Sequence, residues 1–214
     1  PSIFKAVFMA GAPGAGKSFV AESMALPAQL GYKEINSDIE FTRYMKDAGL
    51  ADENGAVILD PKQEYERNVI RTVAKRHTKA KQGHAMVGRL GLLIDGTGAN
   101  YMKVLTQKQT LEALGYETSM IYVKLGLEGS IESDRQRGEA GGRSIGPELV
   151  TAKYNELEKS LKPLKRSFGK MFFEIDNSVR EKTPALIRKV ENQIKKWSKQ
   201  LPKNKAAKTW MKNN

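Results

Sequence analysis

Gly11-Ala12-Pro13-Gly14-Ala15-Gly16-Lys17-Ser18 reads as G-x-x-x-x-G-K-[ST], the pattern of a loop that wraps a polyphosphate. Its setting agrees with that reading. Before it, Ile3-Phe4-Lys5-Ala6-Val7-Phe8-Met9-Ala10 is a short apolar run with β-formers. After it, Phe19 to Leu30 reads as a helix, so the order is strand, glycine-rich loop, helix. Glycines let the backbone turn its N–H groups inward, with the positive end of the helix dipole behind them. Lys17 is then placed to neutralise β- and γ-phosphate oxygens, and the Ser18 hydroxyl to ligate Mg²⁺. A turn that binds nothing would need neither the lysine nor the serine. Gly11 through Ser18, with Phe19 beginning the helix, are therefore the expected contacts for ATP or another nucleoside triphosphate.

Length and composition bound what can surround this loop. The 214 residues are 40% hydrophobic, enough for one sizeable core, and nothing in the length requires a second. No apolar run reaches the roughly 18 residues of a membrane span, and the N-terminal run passes straight into the loop. A cytoplasmic protein without membrane association is expected. Zero cysteines exclude disulfides, thiolate metal sites and cysteine nucleophiles. His77 and His84 are seven apart in a basic stretch without an H-E-x-x-H carboxylate, which reads as two surface residues.

Charge is distributed unevenly. The net charge is +12, and residues 179–214 carry eleven Lys/Arg against two Glu, so +9 of it sits in the last sixth of the chain. A second basic block holds Arg67, Arg71, Lys75, Arg76, Lys79, Lys81 and Arg89, with no acidic residue between Glu66 and Asp95. Such asymmetry is the electrostatic footprint of a nucleic-acid or polyphosphate partner, although a solvated face with a solubilising tail has the same composition.

Along the chain, strand and helix patterns alternate. Tyr32-Lys33-Glu34-Ile35 suits a short strand ending at Asn36-Ser37-Asp38, and 39–48 suits a helix. Residues 52–55 read as a loop, followed near Pro61 by a long helix to about Met86, with Tyr65, Val69, Val73 and Ala80 at near-helical spacing. Residues 90–94 form a continuous apolar run, expected as a buried parallel strand, that ends in Asp95-Gly96-Thr97-Gly98. A helix over 101–114 closed by Gly115 and a strand over 118–125 come next. The polar segment 128–147 carries Arg135, Arg137 and Arg143 among five glycines and leads into a helix to about Leu161. A last strand is expected over 170–175. Ile187, Val190, Ile194, Trp197 and Leu201 mark the apolar face of a final helix, and the lysine-rich end beyond Pro202 is expected to be mobile.

In an open parallel sheet, ligands bind at the carboxyl ends of the strands, so Lys17, Asp38 and Asp95 should meet in one crevice. Phosphoryl transfer needs a base or orienter for the acceptor hydroxyl, cations on the β- and γ-phosphates, and positive charge over the transition state. Asp38 suits the first role, Lys17 with Mg²⁺ the second, and the arginines of the glycine-flanked segment the third, as a closing lid. Asp38 is equally suited to cap a helix. Asp95 is suited to hold Mg²⁺ through a bound water or to contact substrate.

These motifs together resemble the P-loop kinases that include polynucleotide kinase and the zeta-toxin kinases. The carriers are G-A-P-G-A-G-K-S, N-S-D about twenty residues later, D-G-T-G after a buried strand, and D-R-Q-R followed by G-G-R-S-I-G-P-E-L, so the resemblance covers roughly residues 3 to 178. It implies an α/β P-loop NTPase fold, a three-layer sandwich around a mainly parallel sheet with an arginine-bearing lid. It also implies that Asp38 deprotonates or orients the acceptor hydroxyl, that Arg135, Arg137 and Arg143 contact donor phosphates, and that Asp95 and Thr97 face the substrate. The family often places an arginine three residues after the base; here that position is Phe41, and Arg43 lies five residues on. The resemblance puts a kinase domain over 1–178; the basic amphipathic helix over 179–201 and the basic tail over 202–214 are read from the residues and have no counterpart in it. The implied activity is an ATP-dependent kinase acting on a hydroxyl of nucleic acid, with DNA favoured: a 5′ end or a hydroxymethylated base. A small-molecule kinase acting on a nucleoside, nucleotide sugar or antibiotic, and a nucleotide-gated nucleic-acid-binding module, remain open.

Overall fold

Five strands make one all-parallel sheet in the computed structural model, which describes residues 2–51, 61–140 and 144–214. They are β1 (Lys5–Ala10), β2 (Lys33–Ile35), β3 (Leu92–Ile94), β4 (Glu117–Lys124) and β5 (Phe172–Asp176), in the order β2-β3-β1-β4-β5. The chain leaves β1 for the outer β2, returns to β3, then crosses to β4 and β5 on the other flank. The reversal falls at the C-terminal end of β1, the switch point at which such sheets bind ligands. All six β1 residues are buried because neighbouring strands cover both edges and helices both faces. One of them is Lys5, whose Nζ bonds Glu117 Oε2 at 2.5 Å, directly across the register, and stands 4.8 Å from the Trp197 ring.

Nine α-helices are seen among the described residues: α1 (Lys17–Met24), α2 (Leu26–Leu30), α3 (Ser37–Asp47), α4 (Glu64–Val87), α5 (Tyr101–Ala113), α6 (Leu127–Glu139), α7 (Pro147–Phe168), α8 (Thr183–Ser198) and α9 (Lys205–Asn213). Right-handed crossovers put α1 and α8 on one face and α4, α5 and α7 on the other, as the α1–α8 and α5–α7 contacts require. The single helix expected over 19–30 is two. Pro27 has no N–H to offer the carbonyl four residues back, and the chain breaks at Ala25, which takes a left-handed conformation with φ 45°. The helix expected to end near Leu161 runs on to Phe168, and much of the polar segment before it is itself helical, as α6.

The long α4 measures about 36 Å at ~1.5 Å per residue, against roughly 20 Å for β1, so its N-terminal half overhangs the C-terminal edge of the sheet. There it pairs with α3 around a small second core of Phe41, Met45 and Ala74. The apolar face expected on this helix points elsewhere: Tyr65, Val69 and Val73 are 77%, 45% and 42% exposed, and Ala80 is exposed too. Ile70 and Ala74 meet α3 instead, because the small Ala74 admits the bulky Phe41 and Met45 side chains.

The C-terminal end differs most from expectation. Leu201 is 77% exposed, since α8 stops at Ser198. The tail expected to be mobile forms α9, whose Ala207 is buried and whose Trp210 ring meets Phe4 edge-on at 5.4 Å. Gly115, at φ +101°, admits this helix: a Cβ there would stand 2.8 Å from Ala207 N. The Lys203 N–H bonds Glu117 Oε1 at 2.6 Å, and Asn204 Nδ2 bonds the Glu112 carbonyl at 2.8 Å. Phe4, Gly115 and Glu117 all lie at strand beginnings. The lysines of this segment therefore occupy the edge of the sheet opposite the phosphate loop. No helix of the described residues is long and apolar enough to cross a membrane.

Candidate active site

The glycine-rich loop leaves β1 and closes on α1, whose N-cap, Gly16, has φ 90°. A side chain at Gly16 would stand 2.5 Å from Asn177 Nδ2, and one at Gly14, with φ +81°, would run into the Ser130 carbonyl. Both glycines are thus required by conformation and by space. Asn177, just beyond β5, pins the loop: its Nδ2 donates to the Ala15 carbonyl at 2.9 Å, and its Oδ1 accepts from Thr183 Oγ1 at 3.1 Å. Lys17 Nζ curls back onto the carbonyls of Gly11 (2.9 Å) and Ala12 (3.2 Å), where a phosphate would compete for it. Burial lowers the pKa of Lys17. The negative charges of Asp95 and Asp38 oppose that shift, and the positive charge of Arg137 adds to it. Four side chains from distant parts of the sequence therefore share one electrostatic environment.

Asp95 ends β3, and its backbone N–H extends the β2–β3 pairing to the Ile35 carbonyl at 3.1 Å. Its Oδ2 accepts from Asn36 Nδ2 at 2.9 Å, whereas Oδ1 is buried with no hydrogen-bond partner among the described residues. Burial raises the Asp95 pKa against the opposing pull of Lys17, and Asp38 raises it further. Asn36 does two things at once. Its Oδ1 accepts from the Asp38 N–H at 2.9 Å, so Asn36, not Asp38, is the N-cap of α3. The Thr97 carbonyl accepts from the Gly11 N–H at 3.1 Å, tying the D-G-T segment to the phosphate loop. Beyond Asp95 and Thr97 opens a cleft of about 660 Å³, floored by Phe8 and Met120 and walled by Asn100, Lys103 and Lys153.

Helix α6 lies on the phosphate loop, as the Gly14–Ser130 approach requires. Its Asp134 is buried and accepts from Arg137 Nη2 (2.5 Å), Ser144 Oγ (2.7 Å) and the N–H groups of Ile145 (2.9 Å) and Gly146 (3.1 Å). Burial alone would raise the Asp134 pKa, but these four donors hold it below the usual carboxylate range. Arg137 is thereby fixed from behind and still felt by Lys17.

Arg143 lies outside the described residues, and the other two lid arginines are not equivalent. Arg135, 55% exposed, binds Glu132 and Glu139 along the outer side of α6, so of these two Arg137 joins the cluster. Arg43 bonds Glu40 Oε2 at 3.0 Å and stacks 4.8 Å from the Tyr44 ring, on a side of α3 away from Asp38. Ser18 is exposed at the start of α1, as is Phe19. His77 and His84 are exposed; His77 Nδ1 meets Tyr44 Oη at 3.0 Å and Glu40 Oε2 at 3.2 Å. Sequence reading missed Asn36, Asp134 and Asn177. Only Asn36 carried a usable signal, as a cap-forming residue before a helix. Among the described residues no group of three or more His, Cys, Asp or Glu is arranged to hold a metal.

A glycine-rich loop at the switch point of a five-stranded parallel sheet, roofed by an arginine-bearing helix, defines a phosphotransferase of the P-loop kinase class. The chain belongs to the Zeta toxin family, whose model matches residues 4–189. Among curated proteins no sequence matches. Several solved structures are similar in fold. One is from the PezAT chromosomal toxin–antitoxin system of Streptococcus pneumoniae (TM-score 0.63, 16% identity, covering 92% of this chain and 87% of that one). Another is a candidate kinase from Chloroflexus aurantiacus (TM-score 0.59, 15% identity, 90% and 96%). A third belongs to the Pnkp1/Rnl/Hen1 RNA repair complex (TM-score 0.56, 17% identity), where 75% of this chain matches 46% of that one.

Proposed function

We propose that the protein transfers the γ-phosphate of ATP to a hydroxyl carried on nucleic acid, a 5′ end or a hydroxymethylated base, with DNA the favoured strand. The convergence of Lys17, Asp38, Asp95 and Arg137 on one crevice supports the chemistry. In this reading the acceptor oxygen forms a bond to the γ-phosphorus as the bond to the β–γ bridging oxygen breaks, and Asp38 takes the hydroxyl proton. Lys17 leaves the Gly11 and Ala12 carbonyls for the phosphates, and Arg137 covers the charge of the transferring group from the lid. The buried Asp95 Oδ1, which has no hydrogen-bond partner among the described residues, and the exposed Ser18 hydroxyl fit a Mg²⁺ site, with Asp95 acting through water. When bound, the ion would supply Lewis-acid charge at the β- and γ-phosphate oxygens.

The acceptor class rests on charge: the net +12 and the acid-free stretch between Glu66 and Asp95 suit a polyanion. A small-molecule acceptor is the second reading, favoured by the 660 Å³ cleft next to Asp95, a size that suits a single small ligand. The test is incubation with labelled ATP and a panel of DNA 5′ ends, hydroxymethylated DNA, RNA, nucleosides and UDP-sugars. Label on any nucleic acid supports the proposal; label confined to a nucleoside or sugar overturns it in favour of the second reading.

A further inference from the structure

Arg67, Arg71, Lys75 and Lys79 recur every fourth residue along α4. The side of the helix they occupy can be fixed from two contacts. Ile70, Ala74, His77 and Lys81 face α3, with the Arg71 guanidinium 4.4 Å from the Phe41 ring at the margin of that interface. On the flank next to it, Gln82 Oε1 accepts from Gln107 Nε2 of α5 at 3.4 Å. Gln82 lies seven residues beyond Lys75 and eleven beyond Arg71, so at 3.6 residues per turn all three fall within about 20° of one line. Arg71 and Lys75 therefore continue the α4 flank that meets α5, with Arg67 and Lys79 about 60° to either side of that line.

Across from that flank, Asn100, Met102, Lys103, Thr106 and Gln107 of α5 border a groove of about 450 Å³. Asn100, Lys103 and Gln107 border the cleft at Asp95 as well, so the groove and the cleft are continuous. No acidic residue follows Glu66 on α4, and Lys75, at the end of the overhanging half, and Lys79, one turn further on, are both exposed. Successive members of the row stand about 6 Å apart along the helix axis, four residues at ~1.5 Å each. That interval is commensurate with the phosphates of an extended strand. Lys203, Lys205, Lys208 and Lys212 of the C-terminal end are remote from this path, because α9 docks on the opposite edge of the sheet.

Resting on the nucleic-acid reading above, we infer that the basic row of α4 and the groove along α5, joined at the Gln82–Gln107 contact, form the acceptor track: Arg67, Arg71, Lys75, Lys79 and Lys103 hold successive phosphates of a single strand and lead its hydroxyl to Asp38 and Asp95. Preorganisation by the Phe41 ring makes Arg71 a fixed point of the track.

The test compares the whole protein with Lys75→Gln/Lys79→Gln on α4 and Lys205→Gln/Lys208→Gln on α9, which remove equal charge at opposite edges. Binding of a 3′-labelled single-stranded oligonucleotide, in DNA and RNA versions, is followed by anisotropy against salt, and phosphate transfer to the unlabelled strand is measured separately. Circular dichroism verifies that each variant is folded. The α4 pair is expected to weaken binding roughly tenfold and to make the salt slope shallower by about 1.4, at ~0.7 per lost contact on a single strand. The α9 pair should change neither. Equal effects of the two pairs, or no effect of the α4 pair, overturn the track even where the wild type phosphorylates the strand. Binding through α4 without transfer supports the track and removes the kinase reading for nucleic acid; neither binding nor transfer by the wild type overturns both.

Discussion

Replacing Arg137 with Ala isolates the lid's contribution to phosphoryl transfer. Its guanidinium is held by Asp134, which three other donors from 144–146 keep in place, so the substitution removes one cation without dismantling the segment. A preorganised donor aimed at developing charge contributes about 10²–10³ in kcat. Arg137 is 48% exposed, so solvent screening puts the expected loss at the lower end, about 10², equivalent to roughly 2.7 kcal/mol of transition-state stabilisation. Arg135→Ala is the matched control: its partners Glu132 and Glu139 lie along the outer side of α6, and turnover should stay within about threefold of wild type. Arg137→Lys should recover only part of the loss, since an ammonium cannot reproduce the planar fork. Steady-state kinetics at saturating ATP, with thermal melts to verify folding, give the comparison. Wild-type turnover in Arg137→Ala, or an equal loss in Arg135→Ala, would refute the assignment of the lid charge to Arg137.

Other expectations follow from the same geometry. Asp38→Asn should lower kcat by about 10² or more with the KM for ATP unchanged, measured by initial rates against ATP; a parallel loss of ATP affinity would place Asp38 on the donor side. Burial depresses the Lys17 pKa and the charged form is the one that binds phosphate, so kcat/KM for ATP, which reports the free enzyme, should fall as pH rises, on a limb centred below 10.5. A pH profile with the limb at or above that value contradicts the role. Truncation after Leu201 removes α9 and uncovers Phe4 and Gly115; at roughly 3 kcal/mol for loss of the Trp210 packing and about 2–4 °C per kcal/mol, the Tm should drop by about 6–12 °C in a calorimetric scan. An unchanged Tm would mean that α9 does not dock in solution.

The sequence by itself determined the strand–loop–helix at 3–30, the parallel α/β order and the meeting of Lys17, Asp38 and Asp95, because each rests on a local pattern plus one topological rule: parallel strands deliver their C-terminal ends to one edge. Only the tertiary structure decided the rest. Arg135 and Arg137 are two residues apart on α6, and on a helix that places them on different sides, one toward Glu132 and Glu139, the other toward Asp134 and the loop. Tyr65, Val69 and Val73 have the spacing of a buried face, yet α4 buries Ala74, because the bulk it packs against comes from α3. The lysine-rich end has a mobile tail's composition, but Ala207 and Trp210 find Phe4 and Gly115 about 90 residues or more back along the chain. For Arg135 and Arg137 the ion pairs are local and only the seating of α6 on the phosphate loop tells the two apart; for α4 and the C-terminal end the deciding partner is itself distant in sequence, and no local window contains it.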